Sequence, residues 1–398
     1  MRFAERSAWG TEPNLLSQTL TKLQQEEAPI LDLTLSNPTQ ASFSYLNSTL
    51  LEAFDQSENL LYEPNPYGLL RTREAVCRYY ERKGLSLSGD QIFLTASTSE
   101  AYAFIFRILF DPQDSLLVLR PTYPILDYLA SIHDVTLQSC PLVYKDGWKI
   151  DFKALERSVD KKTKALLLVH PNNPTGHYVR EPEKKAVLEF CRSHSLALIV
   201  DEVFYDYDWG RGSEKPESFS KTNEVPTFVV SGISKVLGLP QMKLSWTVIN
   251  GPKDIVKESV RRFEVIADTF LSVSTPIQNA LPIWFECMEK IQKEIRARIL
   301  RNRSFLEAEL TNRKKCRLLQ AEGGWYSVLE LAPPLKDEAL AVLLLREDFV
   351  LTHPGYLFDF PEDSFLILSL LPRPEIFEEG IKRLLARRYG FRVVEREF

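Results

Sequence analysis

The sequence contains few of the residues that build disulfide frameworks or metal sites. Only five of its 398 residues are cysteines and five are histidines, and none falls in a C-x-x-C or H-E-x-x-H spacing. Scattered cysteines in odd number argue against a disulfide scaffold, and isolated histidines do not predict a zinc site. We therefore expect free, mostly buried thiols in a reducing, cytoplasmic environment.

Long apolar runs and an excess of positive charge are missing as well. No apolar stretch approaches the roughly 20 residues of a transmembrane helix, and the first residues, MRFAERSAWGTEP, lack the apolar core of a signal peptide. The net charge of −5 offers no basic surface to nucleic acid or to an anionic membrane. These absences predict a soluble protein whose partners are small molecules.

The length and the pattern of apolar runs predict two domains of different architecture. A large domain (45–280) is expected to be α/β, with three αβα layers around a mainly parallel sheet, because continuous apolar runs alternate there with amphipathic stretches. The remaining segments (1–44 and 281–398) are expected to form a smaller α+β domain. Five runs are predicted as buried strands: QIFLT (91–95), SLLVL (115–119), KALLLVH (164–170), LALIV (196–200) and TFVVSG (227–232).

The segments between and after these runs carry helical periodicity. Residues 99–110 and 181–194 are predicted helices of the large domain, and residues 275–312 are predicted to form one or two long amphipathic helices. After them come two short strand-like pieces, WYSVLEL and SFLILSL, and a predicted helix in IFEEGIKRLLARR.

Polar residues follow several of the predicted strands at the point where each strand ends. Asn173 lies in PNNPTG after one strand, Asp201 emerges directly from the next, and Lys235 follows TFVVSG in the stretch SGISKVLGLPQMK. A buried, unpaired carboxylate or amine is costly, so these groups are expected to face a common partner. In sheets of this type the chemistry gathers beyond the carboxyl ends of the strands.

The start of the helix after QIFLT admits two interpretations. Ser97 and Glu100 match the S-x-x-E pattern of a capping box, which needs no ligand. The hydroxyls of Thr98 and Ser99, together with the free N–H groups of a helix N-terminus, also suit a phosphate. Both interpretations remain open from this segment alone.

One small molecule accounts for all of these strand ends. It has a phosphate for the helix N-terminus, a flat ring for Tyr123, a ring nitrogen for Asp201, a phenolic oxygen for Asn173 and an aldehyde for Lys235. That molecule is pyridoxal 5′-phosphate (PLP).

The chain resembles the fold-type I PLP enzymes of the class I/II aminotransferase group. The resemblance extends from DLTLSNPT (32–39) and YEPNPYGLLRTREAV (62–76) through STSEAY, RPTYP, HPNNPTG, DEVFYDY and SGISKVLGLP to HPGYLFDF (353–360). NNPTG, then DE, then SK-x-x-GLP form a highly specific combination.

The resemblance implies a role for each residue of the central set. Lys235 would form the aldimine with PLP and move a proton during amino transfer between an amino acid and a 2-oxo acid. Asp201 would pair with the pyridine nitrogen, Asn173 would donate to the ring oxygen, and Tyr123 would stack on the ring.

The resemblance also implies a phosphate site and shared active sites in a homodimer. Thr98 and Ser99 would hold the phosphate, together with Lys243 at a position where the family usually has arginine. Ser231 is a further candidate for this contact. Tyr62 would reach the phosphate from the neighbouring subunit.

The sequence departs from the family pattern at several of these positions. Gly232 stands where a phosphate-binding serine is common, and Phe204 stands where a tyrosine usually assists the contact with the ring oxygen. Lys243 offers a point charge in place of the planar fork of arginine.

The departure that most affects the substrate lies near the C-terminus. Ile367 occupies the place of the arginine that binds the substrate carboxylate in the family. Asn37 is expected near that carboxylate, and Arg373 is the nearest downstream cation that could replace the arginine. A solvated surface arginine is the alternative interpretation of Arg373.

Three functional hypotheses follow from these features. The leading one is a PLP-dependent aminotransferase. A PLP-dependent lyase, such as one catalysing C–S β-elimination, would share every cofactor motif, and a non-catalytic PLP-fold protein is a third possibility. The sequence does not identify the substrate, although aromatic residues (Phe204, Tyr205, Tyr207 and Tyr356) suggest either an apolar or aromatic donor or simple core packing.

Overall fold

The structure is a computed structural model that describes residues 3–10, 12–45, 47–210, 215–311, 313, 316–331 and 336–387. The last part of the predicted small domain, residues 388–398, lies outside these ranges. So does residue 312, the last residue of a segment predicted to be helical.

Helices and strands alternate along most of the described chain. The helices are α1 (Leu15–Gln25), α2 (Thr49–Glu52), α3 (Leu70–Glu81), α4 (Thr98–Leu109), α5 (Ile125–Ile132), α6 (Phe152–Ser158), α7 (Glu181–Ser193), α8 (Ile233–Val236), α9 (Lys253–Phe270), α10 (Thr275–Glu286), α11 (Met288–Leu310), α12 (Asp337–Asp348) and α13 (Pro374–Ala386). The strands are β1 (Leu31–Asp32), β2 (Ile92–Thr95), β3 (Ser115–Arg120), β4 (Thr136–Tyr144), β5 (Trp148–Ile150), β6 (Thr163–Val169), β7 (Ala197–Asp201), β8 (Thr227–Gly232), β9 (Ser245–Asn250), β10 (Cys316–Leu318), β11 (Tyr326–Leu331), β12 (Val350–Leu351), β13 (His353–Pro354) and β14 (Phe365–Ser369).

Eight strands form one large sheet in the order β2-β9-β8-β7-β6-β3-β4-β5. The strands from β8 to β4 in this order pair in parallel, while β9 runs antiparallel to both of its neighbours and β5 antiparallel to β4. The mainly parallel sheet predicted from the sequence is therefore confirmed. All five strands predicted for this sheet are present.

The large sheet is covered on both faces, as expected for three layers. Successive residues of β6 divide between two apolar clusters: Leu166 and Leu168 belong to one, while Ala165 and Leu167 belong to the other. Side chains alternate between the faces of a strand, so these two clusters are the two faces of the sheet. Burial on both faces explains why the central strands are continuous apolar runs.

The N-terminal and C-terminal segments contact each other. The short strand β1 pairs in parallel with β12, with Leu31 opposite Val350. A second sheet has the order β10-β11-β14-β13, and the Ser369 amide at its β14 strand donates to the Leu33 carbonyl at 2.7 Å. The predicted boundary at residue 280 falls inside α10, which packs on α3, and the division of the chain at that residue stays a prediction.

Candidate active site

A cavity of about 290 Å³ lies at the carboxyl ends of the central parallel strands. It is the place where the loops after β6 and β7, the short helix after β8 and the N-terminus of α4 converge. Seven of the residues predicted for cofactor binding and catalysis line it: Thr98, Ser99, Tyr123, Asn173, Asp201, Lys235 and Lys243.

Lys235 projects into this cavity from α8, directly after the buried strand β8. Its Nζ lies 5.0 Å from the ring centre of Trp325 and 5.5 Å from that of Phe204. Burial among these rings lowers the pKa of Lys235 to about 8, and the charge of Asp201 opposes this shift. The uncharged, nucleophilic form of the amine is therefore more populated near neutral pH than it is for an exposed lysine.

Asp201 ends β7 and faces the same cavity. Its Oδ1 accepts a hydrogen bond from the Val203 amide at 3.0 Å, and its Oδ2 accepts one from the Tyr102 hydroxyl at 2.9 Å. Burial raises the pKa of Asp201 to about 6, while the two hydrogen bonds and Lys235 act in the opposite direction. A cation or a charged N–H group placed in the cavity would stabilise the carboxylate further.

Asn173 and Tyr123 lie at neighbouring loops. The turn after β6 is held by Asn172, whose Oδ1 accepts from the Thr175 amide and hydroxyl, so the adjacent Asn173 is not needed for the turn. Asn173 is buried, and its Oδ1 has no hydrogen-bond partner among the residues described. Tyr123 is about half exposed, with 46% of its surface accessible, so a face of its ring is available to a ligand.

The two interpretations of the α4 N-terminus are compatible in the structure. Ser97 is the N-cap and accepts from the Glu100 amide at 3.1 Å, while the Glu100 carboxylate accepts from the Ala96 amide at 2.6 Å. Because capping uses only Ser97 and Glu100, the hydroxyls of Thr98 and Ser99 are left to face the cavity. The helix end can therefore be capped and still bind an anion.

Ser231 is placed differently from the prediction. It is buried outside the cavity wall, and its hydroxyl points toward the Glu202 carbonyl at 3.5 Å. Consecutive side chains of a strand face opposite sides of the sheet, so Gly232 lines the cavity and Ser231 does not. The position of Ser231 argues against its predicted contact with a phosphate.

Three further predicted residues do not line the cavity. Asn37 caps a short 3₁₀ helix, with its Oδ1 accepting from the Thr39 amide and hydroxyl. Arg373 donates to the Ser42 hydroxyl at 2.6 and 2.9 Å on another part of the surface, which argues against its predicted contact with a substrate carboxylate. Tyr62 is 76% exposed, and its predicted contact with a neighbouring subunit stays a prediction.

The cavity wall also contains residues that the sequence analysis missed. Tyr102 lies one helical turn after Ser99 on α4, so helical spacing could have indicated it. Ser36 and Ser234 directly precede Asn37 and Lys235 in the quoted motifs, so sequence adjacency could have indicated them. Ser245 and Tyr326 have no such signal and reach the cavity through the tertiary fold.

Neither a membrane-spanning helix nor a metal cluster is found within the described ranges. None of the helices there is long and apolar enough to cross a bilayer. No group of three or more His, Cys, Asp or Glu side chains in that part of the chain could hold a metal ion.

Comparisons with known proteins agree on the kind of protein. Residues 28–376 match the family model described as aminotransferase class I and II. Nicotianamine aminotransferase 1 of Oryza sativa subsp. japonica is 32% identical over 224 residues, which cover 55% of this chain and 45% of that protein. Glutamate-pyruvate aminotransferase AlaA of Haemophilus influenzae is 24% identical over 375 residues, which cover 91% of each protein.

A solved structure has the same fold. The alanine aminotransferase from Pyrococcus furiosus superposes with a TM-score of 0.88 at 23% identity, covering 97% of this chain and 100% of that one. The family match spans most of the chain, so the protein belongs to the class I and II aminotransferase family. It is an enzyme that transfers amino groups of amino acids, and the lyase alternative is not favoured. The family generally uses PLP.

Proposed function

We propose that this aminotransferase binds PLP at Lys235 and moves an amino group from an amino acid with an uncharged side chain to a 2-oxo acid. The observation that carries the proposal is the convergence of Lys235, Asp201 and Asn173 on one cavity. When bound, PLP supplies an aldehyde for the amine and a ring that withdraws electrons from the substrate carbon.

The side chains around the cavity fit this cofactor. Asn173 lines the cavity, where its Nδ2 can donate a hydrogen bond to a ring oxygen, and Asp201 offers a carboxylate to a protonated ring nitrogen. At the other end of the cavity Lys243 and the α4 N-terminus provide a cation and free donors for a phosphate.

The chemistry assigned to Lys235 follows from its surroundings. Burial lowers its pKa to about 8, so the amine can both accept and release a proton at neutral pH. The rings of Phe204 and Trp325 lie beside its Nζ and provide part of these apolar surroundings. Asp201, with Tyr102 fixing its orientation, holds the negative charge that a protonated ring nitrogen requires.

An uncharged donor side chain is favoured by the charges of the cavity wall. Among its lining residues the cations are Lys235 and Lys243, and both are assigned to the cofactor. No cation among the described residues of the wall is therefore left to pair with an acidic donor side chain, whereas Phe204, Tyr123 and Tyr326 supply aromatic surface. Of the other aromatic residues considered from the sequence, Tyr205 and Tyr207 are buried outside the wall, with their hydroxyls bonded to the Pro216 and Lys235 carbonyls.

A single-turnover experiment tests the proposed reaction. Protein loaded with PLP is mixed with one amino acid at a time, and the 2-oxo acid and ammonia are quantified. The proposal predicts up to one 2-oxo acid per chain, no ammonia, and faster reaction with aliphatic or aromatic donors than with aspartate or glutamate. Continuous release of pyruvate and ammonia would instead support a lyase, and no product from any donor would support the non-catalytic alternative.

The assembly proposed for the enzyme is a homodimer. Leu60, Leu61 and Tyr62 are consecutive and expose 88%, 58% and 76% of their surfaces. Soluble monomers rarely expose such contiguous apolar groups, and patches of this kind mark protein interfaces. A second copy covering this segment would place Tyr62 in the interface, and the family resemblance implies its contact with the neighbouring phosphate.

A further inference from the structure

Gly232 and Ser245 form a complementary pair in the wall of the active-site cavity. They lie directly opposite each other in the antiparallel pairing of β8 and β9, and both line the cavity. Lys243, which precedes β9 by two residues, and Thr98 and Ser99 at the α4 N-terminus line the same cavity. The pair therefore belongs to the wall that carries the groups suited to an anion.

The glycine at position 232 is required by space and not by backbone conformation. Its φ of −176° is extended and accessible to any residue. A Cβ at this position, however, would lie 2.4 Å from the Ser245 Oγ and 3.0 Å from the Ser245 Cβ. The Ser245 side chain thus occupies the volume that a side chain at position 232 would fill.

The Ser245 hydroxyl lacks a protein partner in this position. Only 2% of the residue is exposed, and no hydrogen bond of its hydroxyl is found to any other residue described. A hydroxyl that lines the cavity and makes no hydrogen bond to the protein is free to donate to a ligand there. The nearby lysine and helix N-terminus indicate that this ligand group is an anion.

We propose that the Ser245 hydroxyl donates a hydrogen bond to the phosphate of PLP, and that Gly232 leaves the space for it. A phosphate offers only acceptors, and a hydroxyl can donate to one of them while Lys243 and the α4 N-terminus contact the others. This contact rests on the proposed function, because it requires that the cavity binds PLP.

The test compares PLP with pyridoxal, which has the same ring and aldehyde but no phosphate. Both are titrated into cofactor-free protein, and binding is followed by protein fluorescence and visible absorbance. Ser245→Ala is expected to weaken PLP binding by about 10- to 100-fold, as for loss of a hydrogen bond to a charged group. Pyridoxal binding should be unchanged.

Ser231→Ala is the matched control, because Ser231 is a buried serine of the same strand pair that faces away from the cavity. It should bind PLP like the wild type. Equal binding of PLP by Ser245→Ala and wild type, or equal losses for PLP and pyridoxal, would overturn the assignment. A wild type that binds neither compound would contradict the proposed function itself.

Exchanging the two residues gives a second, independent measurement. Gly232→Ser alone should weaken PLP binding and lower the melting temperature, because its Cβ would collide with Ser245. The double variant Gly232→Ser/Ser245→Gly places the hydroxyl on the opposite strand and removes both contacts with Ser245, leaving the Cβ at position 232 with a 3.1 Å approach to the Leu244 carbonyl. It should recover most of the affinity that Ser245→Gly loses; no recovery in a stably folded double variant would contradict the proposal.

Discussion

Lys235 and Asp201 carry opposite charges in one cavity, and each modifies the proton affinity of the other. Burial lowers the pKa of Lys235 to about 8, whereas the negative charge of Asp201 raises it. The same burial raises the pKa of Asp201 to about 6, whereas Lys235 lowers it. The two residues can therefore be tested together through the pH dependence of one amine.

The first prediction concerns the reactivity of Lys235 in the cofactor-free protein. Only an uncharged amine reacts with an acylating reagent, so labelling of Lys235 should rise with pH around a midpoint near 8. Exposed lysines should follow the ordinary value of about 10.4. Trace labelling at a series of pH values, quantified peptide by peptide with mass spectrometry, measures both.

Asp201→Asn supplies the control for the direction of the effect. Removing the carboxylate removes the charge that raises the pKa of Lys235, so the labelling midpoint should move to lower pH. A wild-type midpoint near that of exposed lysines, or an upward shift in the variant, would contradict the description of this pair.

The sequence predicted the positions of Lys235 and Asp201 in the cavity but not those of Ser231 and Ser245, for a physical reason. Lys235 and Asp201 each follow a buried apolar run, where a charge is conspicuous because it needs a partner. Ser245 is an uncharged residue at the start of β9, so the sequence around it does not mark it as functional. Its place in the cavity wall depends on the pairing of β8 with β9. Ser231 was assigned to the phosphate from proximity in sequence, but strand alternation turns it away.

Ile367, which occupies the position of the family's carboxylate-binding arginine, lies in strand β14. Ile367 is fully buried and lies opposite Val328 of β11 and His353 of β13. On the adjacent strand, Tyr326 lines the cavity, and Ser36 lines it as well. Tyr326 pairs with Ser369, two residues after Ile367, and Ile367 itself does not line the cavity.

The second prediction tests the environment of Ile367. Ile367→Arg should lower the free energy of unfolding by about 3–5 kcal/mol, because it buries an unpaired charge in a packed sheet. Chemical denaturation of the cofactor-free protein measures this change. The matched control is Leu300→Arg on α11, at a residue that is 38% exposed, where a change within about 0.5 kcal/mol is expected.

The alternative for Ile367 has a distinct outcome. If position 367 could open into the cavity, Ile367→Arg would retain wild-type stability and would strengthen binding of carboxylate ligands. That result would contradict the buried position of β14.

Most strands of the large sheet that are buried on both faces could be predicted from the sequence, whereas its partly exposed strands could not. Strands β3 and β8 are buried along their whole length, and β6 and β7 are buried except at Lys164 and Asp201; all four were predicted from their apolar runs. Strand β4 mixes buried and exposed positions, so it has no continuous apolar run and was not predicted. The antiparallel direction of β9 is set by its pairing with β8 and β2, which a local pattern does not contain.

In the proposed homodimer, each active site would receive Tyr62 from the other subunit. The exposed apolar segment consists of Leu60, Leu61 and Tyr62 and lies before α3 in the chain. Such a surface gains free energy when a second copy removes it from water. The sequence could indicate Tyr62 only through the family resemblance, because intersubunit contacts leave no periodic pattern in one chain.

The third prediction concerns this assembly. The double variant Leu60→Asp/Leu61→Asp should be monomeric at micromolar concentration in sedimentation velocity experiments, whereas the wild type should be dimeric. PLP affinity should fall as well, because Tyr62 would no longer reach a neighbouring site. Leu300→Asp, a charge introduced at an exposed leucine of α11, should leave the dimer intact; a monomeric wild type with full PLP affinity would contradict the proposal.

The central claim is that Lys235 links the cofactor to the enzyme. PLP-loaded protein is reduced with borohydride, digested and mapped by mass spectrometry, with Lys235→Ala treated in parallel. We expect one cofactor per chain on the peptide that contains Lys235, and no stoichiometric modification in the variant. A cofactor fixed mainly on another lysine, such as Lys243, or a wild type that retains none after reduction, would contradict the claim.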